Sequence, residues 1–221
     1  MKVRNDWGIH RLARPVAAML LVVGAAACGE DPAGPNGGGG VGDTIRPPNG
    51  LVLLVPDAGA PALTTLDTAF LATKGVRSEM RIRYEPVPPD DSGERFLELR
   101  IEDQSLLSYP VGHPKAGALF VDGDTVTIRI VVDPATLSVT LSPSGLQFDP
   151  LVPAELELRY VNADPDFDGD GDDDPELEDE IDLWRQENPG DPWKRVGILK
   201  DSTLDRVRAN LTEFSRYALG I

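Results

Sequence analysis

The stretch that decides the fold is Asp124 to Val161, DTVTIRIVVDPATLSVTLSPSGLQFDPLVPAELELRYV. Three of its segments place an apolar residue at every second position, and Pro and Gly turns separate them. These positions are Val126, Ile128 and Ile130, then Leu137, Val139 and Leu141, then Leu156, Leu158 and Tyr160. Successive side chains of a strand point to opposite faces, so each segment has one apolar face and one polar face. Because the apolar faces need a covering layer, the stretch predicts an all-β fold, an antiparallel β-sandwich.

Further strand patterns extend this domain to residues 51–221. Leu51 to Val55 is a short apolar run that predicts a buried first strand, whereas residues 105–123 lack a pattern and indicate a long loop. Trp184 and Trp193 flank a turn, QENPGDP, that is typical of a hairpin. The other predicted strands are marked by Met80, Ile82 and Tyr84, by Leu97, Leu99 and Ile101, by Val207, Ala209 and Leu211, and by residues 214–219.

The composition agrees with a turn-rich β-protein and argues against a nucleic-acid partner. Of the 221 residues, 22 are Gly and 20 are Pro, and both residues interrupt long helices. The formal net charge is −16. Proteins that bind nucleic acid rely on clustered Lys and Arg, so a nucleic-acid partner is not expected.

The first 27 residues have the pattern of an export signal. Basic residues up to Arg14 precede the apolar run PVAAMLLVVGAAA, which is too short for a permanent membrane span. The small residues before Cys28 resemble a bacterial lipobox, although Ala25 stands where Leu is usual. Cys28 is the only cysteine of the chain, so it has no disulfide partner within it. We expect lipidation at Cys28, with secretory cleavage nearby as the alternative.

Residues 28–50 are expected to be a flexible linker. They include four consecutive glycines and almost no apolar residue, so they cannot offset the entropy cost of becoming ordered. Gly29 stands where an inner-membrane lipoprotein commonly has Asp, and by resemblance this favours the outer membrane or the cell surface. The expected location is therefore the bacterial envelope, with a membrane anchor through Cys28.

An acidic insertion, Asp164 to Asp182, contains 12 acidic residues and no basic one. Its first part, DFDGDGDDD, resembles an EF-hand loop, with carboxylates at positions 1, 3, 5 and 9 and Gly at position 6. Calcium ions prefer several hard oxygen ligands, and the predicted ligands are Asp166, Asp168, Asp170, Asp172 through its carbonyl, Asp174 and Glu178. Position 12 is Leu177 instead of the usual Glu. Asp174-Pro175 is typical of the start of a helical turn. A solvated acidic loop without an ion is the alternative.

Catalytic patterns are scarce. Beyond residue 27 the chain has a single histidine, His113, in a predicted loop, and Cys28 is the only thiol. A catalytic triad, a Cys-His pair or a zinc site would therefore depend on His113. Acidic residues are plentiful, so a carboxylate-based hydrolase remains open, but no spacing singles out a pair.

Two stretches resemble the ZU-five domain, a β-sandwich shared by zonula occludens protein, netrin receptors and ankyrins. SPSGLQFDPLVPAELELRY resembles its "Gly, apolar, x, Phe, x, Pro" signature and the following strand, and LTEFSRYALG resembles its closing strand. The resemblance covers mainly residues 143–221 and implies a docking module. Some relatives cleave themselves at a His-Phe-Ser motif. Here Phe214 and Ser215 match, but Glu213 stands in place of the His.

The expected function is that of a lipid-anchored, exported, non-enzymatic β-sandwich. It would act as a structural or interaction module on the bacterial envelope, with Ca²⁺ as a candidate ligand. An envelope protein or a polysaccharide is the expected kind of partner. Self-cleavage at Phe214-Ser215 and a carboxylate-based hydrolase are the alternatives.

Overall fold

A computed structural model describes residues 50–89 and 92–221, and this part of the chain is almost entirely β-structure. The predicted signal peptide, residues 1–27, and all of the predicted linker except Gly50 lie outside the described residues. The strands are β1 (Asp67–Thr73), β2 (Ser78–Arg83), β3 (Arg95–Ile101), β4 (Leu106–Ser108), β5 (Thr125–Asp133), β6 (Ser138–Ser142), β7 (Gln147–Phe148), β8 (Ala154–Arg159), β9 (Asp182–Gln186), β10 (Lys194–Val196), β11 (Ile198–Asp201), β12 (Arg206–Leu211) and β13 (Arg216–Gly220). Two 3₁₀ turns, Glu178–Glu180 and Ser202–Leu204, are the helical elements of this part of the chain.

The strands form the predicted antiparallel sandwich. One sheet has six strands in the order β1-β5-β6-β13-β9-β10, and the other has five in the order β11-β12-β8-β3-β2. A small sheet pairs β4 with β7. Every paired strand is antiparallel to its neighbour. The fold class predicted from the sequence is therefore confirmed.

The stretch from Asp124 to Val161 contributes strands to both layers of the core. Strands β5 and β6 form a hairpin in the six-stranded sheet, and β8 lies in the five-stranded sheet. Ile128 and Ile130 from one layer and Leu156 and Leu158 from the other are completely buried. Burial of each such side chain contributes about 1.5 to 3 kcal/mol, so the alternating pattern supplies much of the driving force for closing the sandwich.

The predicted first strand has a different form. Leu51, Leu53 and Leu54 are buried, but this segment makes only a short pairing with the end of β13, an interior strand of the six-stranded sheet. The Val52 N–H donates to the Ile221 carbonyl at 3.1 Å, and the Ile221 N–H donates back to the Val52 carbonyl at 3.0 Å. Gly220 is required here because an added Cβ would overlap the Val52 carbonyl oxygen. The segment therefore extends the six-stranded sheet beside the end of β13, beyond the pairing of β13 with β6 at Arg216 and Tyr217.

Strands β1, β4, β7 and β11 lie where no strand was predicted, and one polar face differs from the expectation. Strand β1 buries only Ala72 completely, and β4 lies within the predicted loop of residues 105–123. Glu98 on β3 and Glu157 on β8, expected to face water, are buried. Arginine side chains from the same and from neighbouring strands cover both carboxylates and satisfy their charge.

The acidic insertion follows β8 and lies beside the first residues of the domain. The Asp57 N–H donates to the Asn162 carbonyl at 3.0 Å, and the Asp164 N–H donates to the Val55 carbonyl at 2.9 Å. A helical turn does leave the loop, but it starts later than Asp174-Pro175: the 3₁₀ turn is Glu178–Glu180, and its N-cap is Leu177. Within the described residues, no helix has the length and apolarity needed to cross a membrane.

Candidate metal centre in the acidic insertion

The acidic loop is attached to the sandwich at two points and is closed by a backbone hydrogen bond of its own. Phe167 is buried against the hydrophobic core, although acidic residues stand on both sides of it in the sequence. The Asp164 N–H binds the Val55 carbonyl at 2.9 Å, and the Asp174 N–H binds the Pro165 carbonyl at 2.9 Å. Apolar burial and backbone pairing thus hold the loop in place, while its carboxylates remain near the surface.

Asp166 organises the turn that follows it. Its Oδ1 accepts the N–H groups of Gly169 at 2.7 Å and Asp170 at 3.0 Å, and its Oδ2 accepts the Gly171 N–H at 3.0 Å. Gly169 and Gly171 have φ of 81° and 101°, in the left-handed region that favours glycine. The two glycines therefore allow the chain to wrap around one carboxylate, as position 6 of the predicted loop requires.

Three carboxylates converge inside this turn. One oxygen each from Asp166, Asp168 and Asp174 lies within 4.8 Å of the other two. Asp174 is 8% exposed, and its Oδ2 accepts the Asp168 N–H at 3.2 Å. Desolvation raises the pKa of Asp168 above its usual value, and the charges of Asp170, Asp174 and Asp166 raise it further. The turn thus concentrates negative charge that a bound cation would neutralise.

Two other predicted carboxylate ligands, Asp170 and Glu178, lie outside this group of three. Asp170 is exposed, and its Oδ1 accepts the Asp172 N–H at 3.0 Å. Glu178 accepts the Tyr160 hydroxyl at 2.8 Å and so fastens the 3₁₀ turn to the sheet. The structure therefore brings together the carboxylates of Asp166, Asp168 and Asp174, and it does not add those of Asp170 or Glu178 to that group. A calcium ion here would need further oxygens from water or backbone carbonyls.

The predicted self-cleavage position is built into the sandwich. Ser215 is 3% exposed, and its hydroxyl donates to the Gln186 carbonyl at 2.5 Å. Glu213 is bound by Arg185 and accepts a hydrogen bond from Gln147 Nε2 at 3.0 Å. The hydroxyl of Ser215 and the carboxylate of Glu213 are thus hydrogen-bonded to different groups, and an attack by Ser215 would require both sets of contacts to rearrange.

His113 lies in a packed turn. Its ring stacks on Tyr109 at a centroid distance of 4.4 Å, and its Nδ1 accepts the Lys115 N–H at 3.1 Å. Asp124 contacts the same turn through Lys115 at 3.3 Å. These contacts give the imidazole a structural role in the turn.

Comparison of the chain with protein-family models, with curated proteins and with solved structures finds no match.

Proposed function

We propose that this protein is a lipid-anchored, exported β-sandwich that acts as a structural or interaction module on the bacterial envelope and binds Ca²⁺ through its acidic loop. The observation that carries the calcium proposal is the convergence of Asp166, Asp168 and Asp174 within a turn that Asp166 itself organises. Carboxylate oxygens are preferred ligands of Ca²⁺, and millimolar affinity is sufficient for an extracellular module.

Isothermal calorimetry with Ca²⁺ tests this site on the full chain. We expect saturable binding with a dissociation constant of about 10⁻⁴ to 10⁻³ M. Asp168→Asn is the most informative variant, because an amide oxygen can still accept the Asp170 N–H that Asp168 accepts at 3.0 Å. This change removes charge with little effect on the turn, and Ca²⁺ affinity should fall about tenfold or more.

Asp179→Asn is the matched control. Asp179 belongs to the same insertion but lies in the exposed 3₁₀ turn, outside the group of three carboxylates. It should bind Ca²⁺ as the unchanged chain does. Absence of saturable heat up to about 10 mM Ca²⁺, well above the weakest expected class, would reduce the insertion to a solvated acidic loop.

Anchoring is proposed to occur through lipid on Cys28. Each buried CH₂ of an acyl chain contributes about 0.8 kcal/mol, so two or more chains hold a protein at a membrane almost permanently. Cys28→Ser should release the protein into the soluble fraction of cells. If that variant stays in membranes washed with high salt as fully as the unchanged chain does, the anchor is not at Cys28.

Membership of the ZU-five domain family is part of the proposal. Its support is that the two stretches carrying the resemblance are neighbours in space. The Gly145 N–H donates to the Phe214 carbonyl at 3.0 Å, and the rings of Phe148 and Phe214 meet edge to face with centroids 4.8 Å apart. In that family the domain most often serves as a docking module, so an envelope protein or a polysaccharide is the proposed kind of partner.

The proposed module is non-enzymatic, and mass spectrometry of the purified chain tests this for self-cleavage. The hydrogen bond from Ser215 to Gln186 supports the proposal, because it directs the hydroxyl away from the role of an activated nucleophile. We expect no fragment that begins at Ser215. A seven-residue peptide that disappears in Ser215→Ala would instead identify a self-cleaving domain.

A further inference from the structure

The outer face of the five-stranded sheet is covered by charged side chains with an excess of arginine. Seven arginines and five acidic residues belong to it, on a chain whose net charge is −16. The arginines are Arg81, Arg83, Arg95, Arg100, Arg159, Arg206 and Arg208, and the acidic residues are Glu79, Glu98, Glu155, Glu157 and Asp201. This face is therefore locally basic on an acidic protein.

The excess positive charge is concentrated near Glu157. The Glu157 carboxylate is shared by four guanidinium groups, whose nitrogens lie 2.5 to 3.9 Å from it. These belong to Arg95, Arg159, Arg206 and Arg208. Arg83, which is paired with Arg95 in the strand register, donates to the Gly93 carbonyl at 3.1 Å and has no carboxylate partner among the described residues. Arg95 also contacts Glu98, and Arg206 also contacts Asp201 at 2.8 Å. Five arginines at this end of the sheet therefore share three carboxylate partners.

A polar cleft of about 440 Å³ opens at this position. Arg83, Arg95 and Arg159 line it together with Ser92, Gly93 and Glu94. The Arg95 Nε is shielded from solvent and has no hydrogen-bond partner among the described residues. A buried donor without a partner is costly. Asp90 and Asp91 lie outside the described residues, and Glu94 is the acidic residue among those that line the cleft.

We propose that this cleft binds a phosphate group. Guanidinium groups pair with phosphate through two parallel hydrogen bonds, and a tetrahedral dianion offers enough oxygens for three arginines at once. The phosphate would come either from a soluble phosphate compound or from the head group of an anionic lipid. The site shares no residue with the calcium loop and goes beyond the function proposed above.

Calorimetry with inorganic phosphate, in calcium-free buffer and on the full chain, tests the site. We expect saturable binding that weakens about tenfold, or about 1.4 kcal/mol, in Arg83→Gln and in Arg159→Gln. Arg83 gives the clearer result of the two, because the hydrogen bond to the Gly93 carbonyl is the only polar contact that its side chain makes among the described residues. Arg129→Gln is the matched control. Arg129 pairs with Asp67 on the other sheet, so that variant should keep the original affinity.

Vesicles distinguish the two sources of phosphate. The Cys28→Ser chain, which has no lipidation site, would be sedimented with phosphatidylcholine vesicles with and without phosphatidic acid. Binding of inorganic phosphate together with Arg83-dependent binding to phosphatidic acid supports a lipid head group, and binding of inorganic phosphate alone supports a soluble ligand. No saturable phosphate binding at 10 mM, or an equal loss in Arg129→Gln, would overturn the proposal. Because calcium is absent, this result is independent of the loop.

Discussion

Glu157→Gln should destabilise the sandwich because it removes the charge that holds four guanidinium groups together. The Glu157 side chain is 7% exposed, and its Oε1 lies 2.5 Å from Arg95 Nη2. Its cross-strand neighbour on β3 is Glu98, another buried carboxylate. Gln has nearly the same shape as Glu, so the change leaves the packing in place and leaves the guanidinium groups without half of their central negative charge.

The expected loss of stability in Glu157→Gln depends on how exposed its four arginine partners are. Breaking a fully buried ion pair costs about 3 to 5 kcal/mol. The four arginine side chains are 19 to 34% exposed, so water compensates part of the loss. We expect a decrease of about 2 to 3 kcal/mol in the free energy of unfolding. This is similar to the contribution of one or two hydrogen bonds to a charged group, about 1.5 to 3 kcal/mol each. For a domain of this size the melting temperature should fall by about 4 to 12 °C.

Urea unfolding and thermal unfolding measure this effect, and Glu187→Gln is the matched control. Glu187 makes its ion pair with Lys194 at the surface, where its side chain is 47% exposed. Such pairs contribute about 0 to 1 kcal/mol. If Glu157→Gln is no more destabilising than Glu187→Gln, the arginine-covered face does not stabilise the fold and the reasoning is wrong.

Two further changes test the ion pairs of Glu98 and the pairing of residues 51–54 with β13. Burial by itself would raise the pKa of Glu98, but Arg95, Arg81 and Arg100 together hold it below its usual value. Its stabilising contribution is therefore present above an unfolded pKa of about 4.3 and is lost as the pH falls through the lower folded pKa. Glu98→Gln should make urea unfolding free energies less dependent on pH below about 4.3, and an unchanged slope would contradict this. Gly220→Ala should cost about 1 to 3 kcal/mol in the same assay because the new Cβ overlaps the Val52 carbonyl. Gly197→Ala, with open space around the added Cβ, should cost less than about 0.5 kcal/mol. Equal effects would contradict the pairing of residues 51–54 with the end of β13.

The sequence predicts those strands whose burial follows a strict alternation. Val126, Ile128 and Ile130 point into the core as expected, because one face of β5 is covered and the other is not. Strand β1 was not predicted because its sequence, DTAFLAT, completely buries only Ala72, so its hydrophobic pattern is weak. The buried state of Glu98 and Glu157 depends partly on arginines from other strands, Arg81 for Glu98 and Arg95 and Arg206 for Glu157. A local pattern of alternating charges does not contain that information.

For the candidate metal centre too, the sequence predicts local contacts better than contacts between distant residues. The spacing of DxDGDG predicts the turn around Asp166 because its hydrogen bonds join residues at most five positions apart. Glu178 was assigned to the metal from proximity in the sequence, but the structure pairs it with Tyr160, 18 residues away. Phe167 was missed as an anchor, although a single aromatic residue within a run of acids is a signal that this point of the loop is buried.

The measurement that tests the central claim most directly is the melting temperature of the protein with and without Ca²⁺. A ligand at ten times its dissociation constant stabilises the native state by about 1.4 kcal/mol, which corresponds to a rise of about 3 to 6 °C here. Mg²⁺ should give a smaller rise because it requires tighter octahedral geometry, and Asp168→Asn should remove the Ca²⁺ effect. Identical melting temperatures at zero and about 10 mM Ca²⁺ would contradict the account of the acidic loop as a calcium site.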